Sequence, residues 1–212
     1  TPRHEAALRF AELIKQKTGG RYEVSVAHSS QLGNDGAMLT ALRAGTMGFS
    51  ANGQGPTSVL VPEYSALGLP FLFATNEKAW KLLDGPIGKE LAERTAAKGM
   101  IVLGYWDNGI RHITNSKRPI RTPADMKGLR FRTPADPMTT SIMQALGASA
   151  QELKFSEVYA ALKQGEVDGQ ENPLSNVASA KLYEVQKYLS LSGHMYALTP
   201  FMMSKRYWDR LN

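Results

Sequence analysis

Apolar residues recur at helical spacing from the start of the chain. Ala6, Ala7, Phe10, Leu13 and Ile14 mark one face of a helix that Thr18-Gly19-Gly20 ends. Tyr22 to Ala27 alternates with the period of a strand, and Ser29 to Gly33 is a polar loop. Asn34 can cap a helix carrying Met38, Ala41 and Leu42, with a stop at Gly45. Met47 to Ala51 reads as a short strand running into the glycine-rich loop Asn52-Gly53-Gln54-Gly55-Pro56. Helices are predicted over Asn76 to Leu83 and Pro86 to Lys98, the second with proline in its first turn. Met100 to Tyr105 is a strongly apolar strand.

The second half repeats the alternation. Strands fit Arg111 to Thr114 and Leu129 to Arg132. Asp136-Pro137 starts a helix with Ile142, Met143 and Leu146, stopped by Gly147. After a strand near Ala148 to Leu153, Phe155 and Ser156 open a helix containing Val158, Ala161 and Leu162, which Gly165 stops. Val167-Asp168-Gly169 is a very short strand, and a helix runs from about Pro173 to Leu182. Strands near Tyr188 to Leu191 and Tyr196 to Ser204 lead to Lys205 to Asn212, the start of a last helix. Strands alternating with helices predict an α/β fold with mixed, mostly parallel sheets. The chain divides into two small lobes, with the changeover near Asp107 to Gly109. In such folds ligands sit beyond the carboxyl ends of strands, often in a cleft between lobes.

Composition narrows the function. The 212 residues are 42% hydrophobic and 21% charged, ordinary values for a globular protein. No apolar stretch is long enough to span a bilayer. Cysteine is absent, which removes disulfides, thiolate metal sites and cysteine nucleophiles together. The net charge is +6, but the basic residues are scattered and no Lys/Arg run is interleaved with aromatics. A nucleic-acid partner is therefore not expected, and the charge can steer anionic ligands. Neither a Walker A loop, a Gly-x-Gly-x-x-Gly turn after the first strand, nor Gly-x-Ser-x-Gly occurs. His4, His28, His112 and His194 show no metal-ligand spacing. The expectation is a protein that is not an enzyme and holds no cofactor or metal.

Three residues stand out as candidates for chemistry. Arg132 ends the strand Leu129-Arg130-Phe131-Arg132, at the edge where ligands sit, and its guanidinium offers a planar fork matched to a carboxylate. Arg111 opens a strand at the lobe changeover. Both arginines could equally be solvated or held in structural ion pairs. Asn172 precedes Pro173; it could cap the next helix, or its amide could bind a carboxylate and a hydroxyl.

Several segments, in order and nearly in spacing, resemble the solute-binding subunit of TRAP (tripartite ATP-independent periplasmic) transporters. They are Ser30-Gln31-Leu32-Gly33, Leu69-Pro70-Phe71, Asn108-Gly109-Ile110-Arg111 and Asp125-Met126-Lys127-Gly128-Leu129-Arg130-Phe131-Arg132. Phe155-Ser156-Glu157-Val158-Tyr159 and Val167-Asp168-Gly169-Gln170-Glu171-Asn172-Pro173 complete the set. The resemblance implies two lobes, joined by crossing strands and a long helix, that close on a carboxylate ligand. The expected division sets residues 1–108 with 198–212 against 109–197. It also implies a signal peptide on the full-length protein, a periplasmic location and delivery to membrane permease subunits driven by an ion gradient. By resemblance, Arg132 is the principal carboxylate-binding arginine. Arg111 and Asn172 are further ligand contacts, and Phe155 is an apolar wall.

The chain departs from the family pattern in lacking its first strand and its long carboxyl-terminal helices, which is expected of a fragment. The loop at 52–56 carries no charge, whereas sialic-acid-binding relatives have an acidic and a basic contact there. A smaller acid is expected, a uronate, an aldonate or a C4-dicarboxylate. Two other classes remain: an enzyme on the same fold, with Glu171, Asp168 and His112 as acid–base candidates, and a ligand-sensing regulatory domain.

Overall fold

The computed structural model describes every residue except Ser29 and Asn212, one in the expected Ser29–Gly33 loop and one in the expected last helix. Helix α1 (Pro2–Lys17) is followed by α2 (Asp35–Ala44), which starts where the Asn34 side chain accepts from Ala37 N at 2.9 Å. Strand β1 (Phe49–Ala51) leads to α3 (Gln54–Ser58), a 3-10 segment (Pro62–Gly68), α4 (Asn76–Leu83) and α5 (Pro86–Ala97). Then come the long strand β2 (Met100–Asn115), β3 (Arg130–Thr133), α6 (Pro137–Ala145) and β4 (Ser149–Glu152). A 3-10 turn at Phe155–Glu157 opens α7 (Val158–Gln164), and β5 (Gly169–Pro173), α8 (Leu174–Ser179), β6 (Tyr188–Ser204) and α9 (Lys205–Trp208) complete the order.

Six strands form one mixed sheet in the order β1-β6-β2-β5-β3-β4. The mixed α/β class is as expected, but the expectation of mostly parallel pairing is corrected. Only β3 pairs in parallel, with β4 and β5, while β1–β6, β6–β2 and β2–β5 are antiparallel. The cause is continuity. What reads as two strands at Met100–Tyr105 and Arg111–Thr114 is one strand of 16 residues, and Tyr188–Leu191 joins Tyr196–Ser204 in one of 17. Asp107-Asn108-Gly109 has the composition of a turn but forms an irregularity within the β2–β6 ladder. Gly109 sits there at φ +107, a conformation that only the absence of a Cβ makes inexpensive.

Other boundaries also move. Tyr22 to Ala27 alternates in sequence but joins no strand among the described residues. From Gln54 on, the expected glycine-rich loop is the buried helix α3. Gln170, Glu171 and Asn172 lie within β5, so Asn172 is not the cap of α8; Pro173 takes that place. The helix expected to reach Leu182 stops at Ser179, and a separate 3-10 turn covers Leu182–Glu184.

Apolar packing collects toward the two ends of the long strands. At one, Tyr64, Phe73, Leu83 and Leu91 pack with Tyr196 and Leu198 of β6, and nearby Leu39 and Leu42 pack with Met100 and Met202. At the other, Phe131, Ile142 and Met143 pack with Ile113 and Met195, and α7 and α8 bury Val158, Leu162 and Val177. Along β6 the change of core thus falls between Met195 and Tyr196.

Gly169 sits where β5 passes between β2 and β3, and a methyl group there would overlap the carbonyl oxygen of Thr114 and the Phe131 ring. Backbone cannot yield as a flexible side chain does. Gly169→Ala is expected to lower unfolding free energy by about 1–3 kcal/mol or more. Gly48→Ala, with nothing within 4 Å of the added methyl, should change it little. Chemical denaturation of the two variants side by side checks this.

Candidate functional site

The parallel strand β3 carries Arg132 at its carboxyl end, beside β5, which carries Asn172. Antiparallel pairing of β5 with β2 brings in Arg111. The turn after β4 brings in Phe155. A cavity of about 1070 Å³ is lined by Arg132, Arg111, Asn172 and Phe155 together, so four residues far apart in sequence share one space.

Phe131 is fully buried in the core, and the alternation that puts it there turns Arg130 and Arg132 the other way. Their fates differ. Arg130 forks onto Asp168 at 3.1–3.2 Å from a half-exposed position. Arg132 is 4% exposed and has no carboxylate within 4 Å among the described residues. Its Nε and Nη2 both donate to the carbonyl of Leu153, at 2.9 and 2.8 Å, and its guanidinium lies 5.9 Å from the centre of the Phe155 ring. Burial pushes its pKa down to about 10, although the nearby Glu171 carboxylate acts upward. A desolvated cation without a counter-charge is a demand for an anion.

Arg111 is equally buried but is paired. Its Nε and Nη2 grip both oxygens of Glu171, Nη2 to Oε1 at 2.6 Å, and Nη2 also donates to the Glu171 carbonyl at 2.8 Å. Burial alone would push the Glu171 carboxyl up. The charge and hydrogen bonds of Arg111, helped by His194, overcome this and hold it at about 2. His194 stands with Nε2 3.4 Å from Glu171 and its Nδ1 2.8 Å from the Ser192 hydroxyl.

Asn172 belongs to a chain of amides. Its Oδ1 accepts from Arg111 Nη2 at 3.4 Å and Asn176 Nδ2 at 3.3 Å, and its Nδ2 donates to Gln170 Oε1 at 2.5 Å. Gln170 continues to Thr114 at 2.8 Å and Thr114 to Gln186 at 2.9 Å. Asn176 also donates to Asn108 Oδ1 at 3.2 Å, and both line the cavity. Sequence reasoning missed Asn176, although its place four residues after Asn172 was a usable signal. It also missed Asp136 as a wall residue, having read it only as a helix start. Its carboxylate accepts from Met138 N at 3.1 Å and the Thr139 hydroxyl at 2.6 Å. Gly55 of α3 faces it so closely that an added methyl would overlap the Asp136 side chain.

The three acid–base candidates do not converge. Glu171 is enclosed by Arg111, Asp168 is held by Arg130, and His112 accepts from Gly193 N at 3.1 Å. None of them lines the cavity. Among the described residues, no three His, Cys, Asp or Glu side chains are grouped to hold a metal, and no helix is long and apolar enough to cross a membrane.

Elements gathered at either end of two long strands, with a cavity between them, make a two-lobed α/β protein of the solute-binding kind. The chain belongs to the bacterial extracellular solute-binding proteins of family 7, whose family model matches residues 1–212. It is 57% identical over 204 residues to an uncharacterized protein, y4mM, of Sinorhizobium fredii, covering 96% of this chain and 38% of that one. The sugar acid binding protein of Advenella mimigardefordensis in complex with galactonate superposes with a TM-score of 0.96 at 38% identity, over 100% of this chain and 68% of that one. A TRAP periplasmic solute binding protein of Sulfurospirillum deleyianum with bound succinate gives 0.95 at 39% identity, over 100% and 68%. These two solved relatives are binding proteins, not enzymes. The chain spans 38 to 64% of the length of the curated relatives it matches.

The depressed Glu171 pKa sets a pH dependence. With an unfolded value near 4.3 and a folded value of about 2, ionisation stabilises the fold above pH 4.3, and the contribution is lost as pH falls toward 2. Glu171→Gln should therefore cost about 3 kcal/mol at pH 7, with most of the difference gone by pH 2. Denaturant titrations of both proteins across that range measure it.

Proposed function

We propose that the protein is an extracytoplasmic receptor that captures a small organic or sugar acid in the periplasm. It then delivers the acid to the membrane permease subunits of a TRAP transporter, which run on an ion gradient. The observation that carries this reading is the buried, unpaired Arg132. Its Nη1 makes no hydrogen bond among the described residues, so the edge formed by Nη1 and Nη2 is available to a carboxylate in the two-pronged geometry that guanidinium favours. Phe155 covers one face of the ion, and Arg111 and Asn172 flank it as further ligand contacts. The galactonate and succinate held by the two solved relatives are both carboxylates, which supports the class of ligand. The enzyme reading loses ground because Glu171, Asp168 and His112 stand outside the cavity.

On this reading residues 1–108 with 198–212 form one lobe and 109–197 the other, with β2 and β6 as the crossing strands. Ligand binding draws α3 of the first lobe onto the start of α6 in the second. Gly55 stands against Asp136 where α3 meets α6.

Two variants test the reading in the full-length protein. Arg132→Lys keeps the charge but loses the fork, and it should weaken carboxylate binding by about 2–5 kcal/mol in calorimetry while the protein stays folded. Wild-type affinity in folded Arg132→Lys would remove Arg132 from the site. Gly55→Ala, whose methyl would overlap Asp136, should prevent full closure. Small-angle scattering at ligand saturation should then show a larger radius of gyration than in wild type.

A further inference from the structure

We infer that His112 is a positioning residue for the carboxylate site. Its neutral imidazole pins a bulge of β6 from which His194 backs the Arg111–Glu171 pair, so proton uptake at His112 weakens ligand binding. The inference rests on the receptor reading and adds to it a dependence on pH. Between β2 and β6 the register runs Arg111 against Met195 and then Ile113 against Ser190. One residue of β2, His112, thus faces four of β6, Leu191 to His194, which bulge out of the ladder. An amide in such a bulge loses its place in the ladder and needs another acceptor. For Gly193, which turns at φ +55, the acceptor is a side chain: its N–H donates to His112 Nδ1 at 3.1 Å. An imidazole nitrogen accepts only while it carries no proton, so this bond requires the neutral Nε2–H form of His112.

The bulge is tied in two further directions. The His194 carbonyl accepts from Phe71 N at 3.1 Å, and Phe71, at φ +59, lies between the 3-10 segment and α4. The His194 ring is buried, with Nδ1 2.8 Å from the Ser192 hydroxyl inside the bulge. Its Nε2 has no hydrogen-bond partner among the described residues and stands 3.4 Å from the Glu171 carboxylate. Glu171 in turn grips Arg111, which lines the cavity. The titratable and charged groups around His112 are His194 on β6, Glu171 on β5 and Arg111 beside it on β2. Helix α8, also packed on β2, carries none; α4 and α5 bond to β2 earlier, at Asp107 and Tyr105, and α9 beside its start. Burial, and then the charge of His194, push the His112 pKa below the ordinary imidazole value of about 6.5. His112 is therefore neutral at pH 7.5 and takes up a proton only in more acid solution. Its Nδ1 then becomes a donor facing the Gly193 donor, and a like charge is added near His194. The bulge has to shift, and the support of Glu171 and Arg111 shifts with it.

Calorimetry on the full-length protein at pH 7.5 and pH 5 tests this with galactonate, glucuronate and fumarate, acids whose carboxyls stay largely ionised at both. The apparent Kd of the acid that binds should be at least about threefold higher at pH 5, because only the fraction with neutral His112 is fully competent. An asparagine amide can present an oxygen where Nδ1 stands but does not titrate. In His112→Asn the ratio of the two Kd values should therefore fall below about twofold, whatever the affinity at pH 7.5. A wild-type Kd that is the same at both pH values, or an undiminished ratio in folded His112→Asn, would overturn the inference. A second measurement needs neither variant nor ligand. The NMR signals of the Gly193 amide and the Arg111 Nε–H should move with one midpoint, below about pH 6.5, shared with the His112 ring. Signals that ignore the His112 titration would overturn the inference as well. If none of the three acids bound at pH 7.5, the receptor reading would fall, and the NMR titration would decide the role of His112 by itself.

Discussion

The pairing of two long strands is the constraint on which the molecule depends. β2 and β6 run antiparallel for nearly their whole lengths, and each end of the ladder carries its own apolar core. A flat ladder of that length would be stiff, but register shifts at Val102/Gly104, Asp107/Gly109 and Arg111/Ile113 break its regularity, the second of them at the middle of β2. The same irregular region supplies Asn108 and Arg111 to the cavity. The place where the ladder is irregular is thus also where the site begins, and on the proposed reading movement of one end relative to the other acts directly on residues that line it.

Electrostatics at the site are asymmetric by design of the strand register. β5 lies between β2 and β3, so Glu171 meets Arg111 across one ladder while Arg132 stands on the other neighbour. One buried acid cannot serve two buried guanidiniums. It takes both hydrogen-bonding arms of Arg111, and Arg132 is left with a backbone carbonyl and an aromatic face. Two cations so close would repel if both were unneutralised. The Arg111–Glu171 pair therefore places Arg111 at the cavity with Arg132 without adding net charge there.

Local pattern made much of this legible. The helix starts at Asn34 and Asp136 were readable because their side chains cap by chemistry that short sequence determines. The position of Arg132 at the end of a strand followed from alternation around Phe131. Pairing partners were not legible: whether Arg111 is free or held depends on Glu171, sixty residues away, and the ladder that joins them is a tertiary fact. The direction of pairing was misjudged because the stretches between Met100–Tyr105 and Arg111–Thr114, and between Tyr188–Leu191 and Tyr196–Ser204, read as breaks between strands. In the fold they are absorbed as irregularities of longer strands. Asn176 escaped notice although its place four residues after Asn172 was a signal, and Asn108, seen only as part of a motif, has no signature of its own until Asn176 is found facing it.

The unpaired Arg132 also gives a physical reason for occupancy and closure to be linked. A guanidinium in water is well solvated, and one enclosed with a carboxylate is compensated. One enclosed with a single carbonyl and a ring is neither. On the proposed reading, the closed arrangement, in which α3 meets Asp136 and water is excluded from Arg132, is thus disfavoured when the cavity holds no anion and favoured when it does. A ligand shifts such an equilibrium only by the difference in its affinity for the two states. An acid bound to the open lobe alone would meet a hydrated arginine and gain little. Bound in the closed cavity it removes the cost of desolvating that arginine, and nearly the whole of that difference favours closure. A neutral sugar of the same shape could fill the amide wall and still leave Arg132 uncompensated, so on the proposed reading the carboxylate, more than the fit of the chain, decides whether the lobes close.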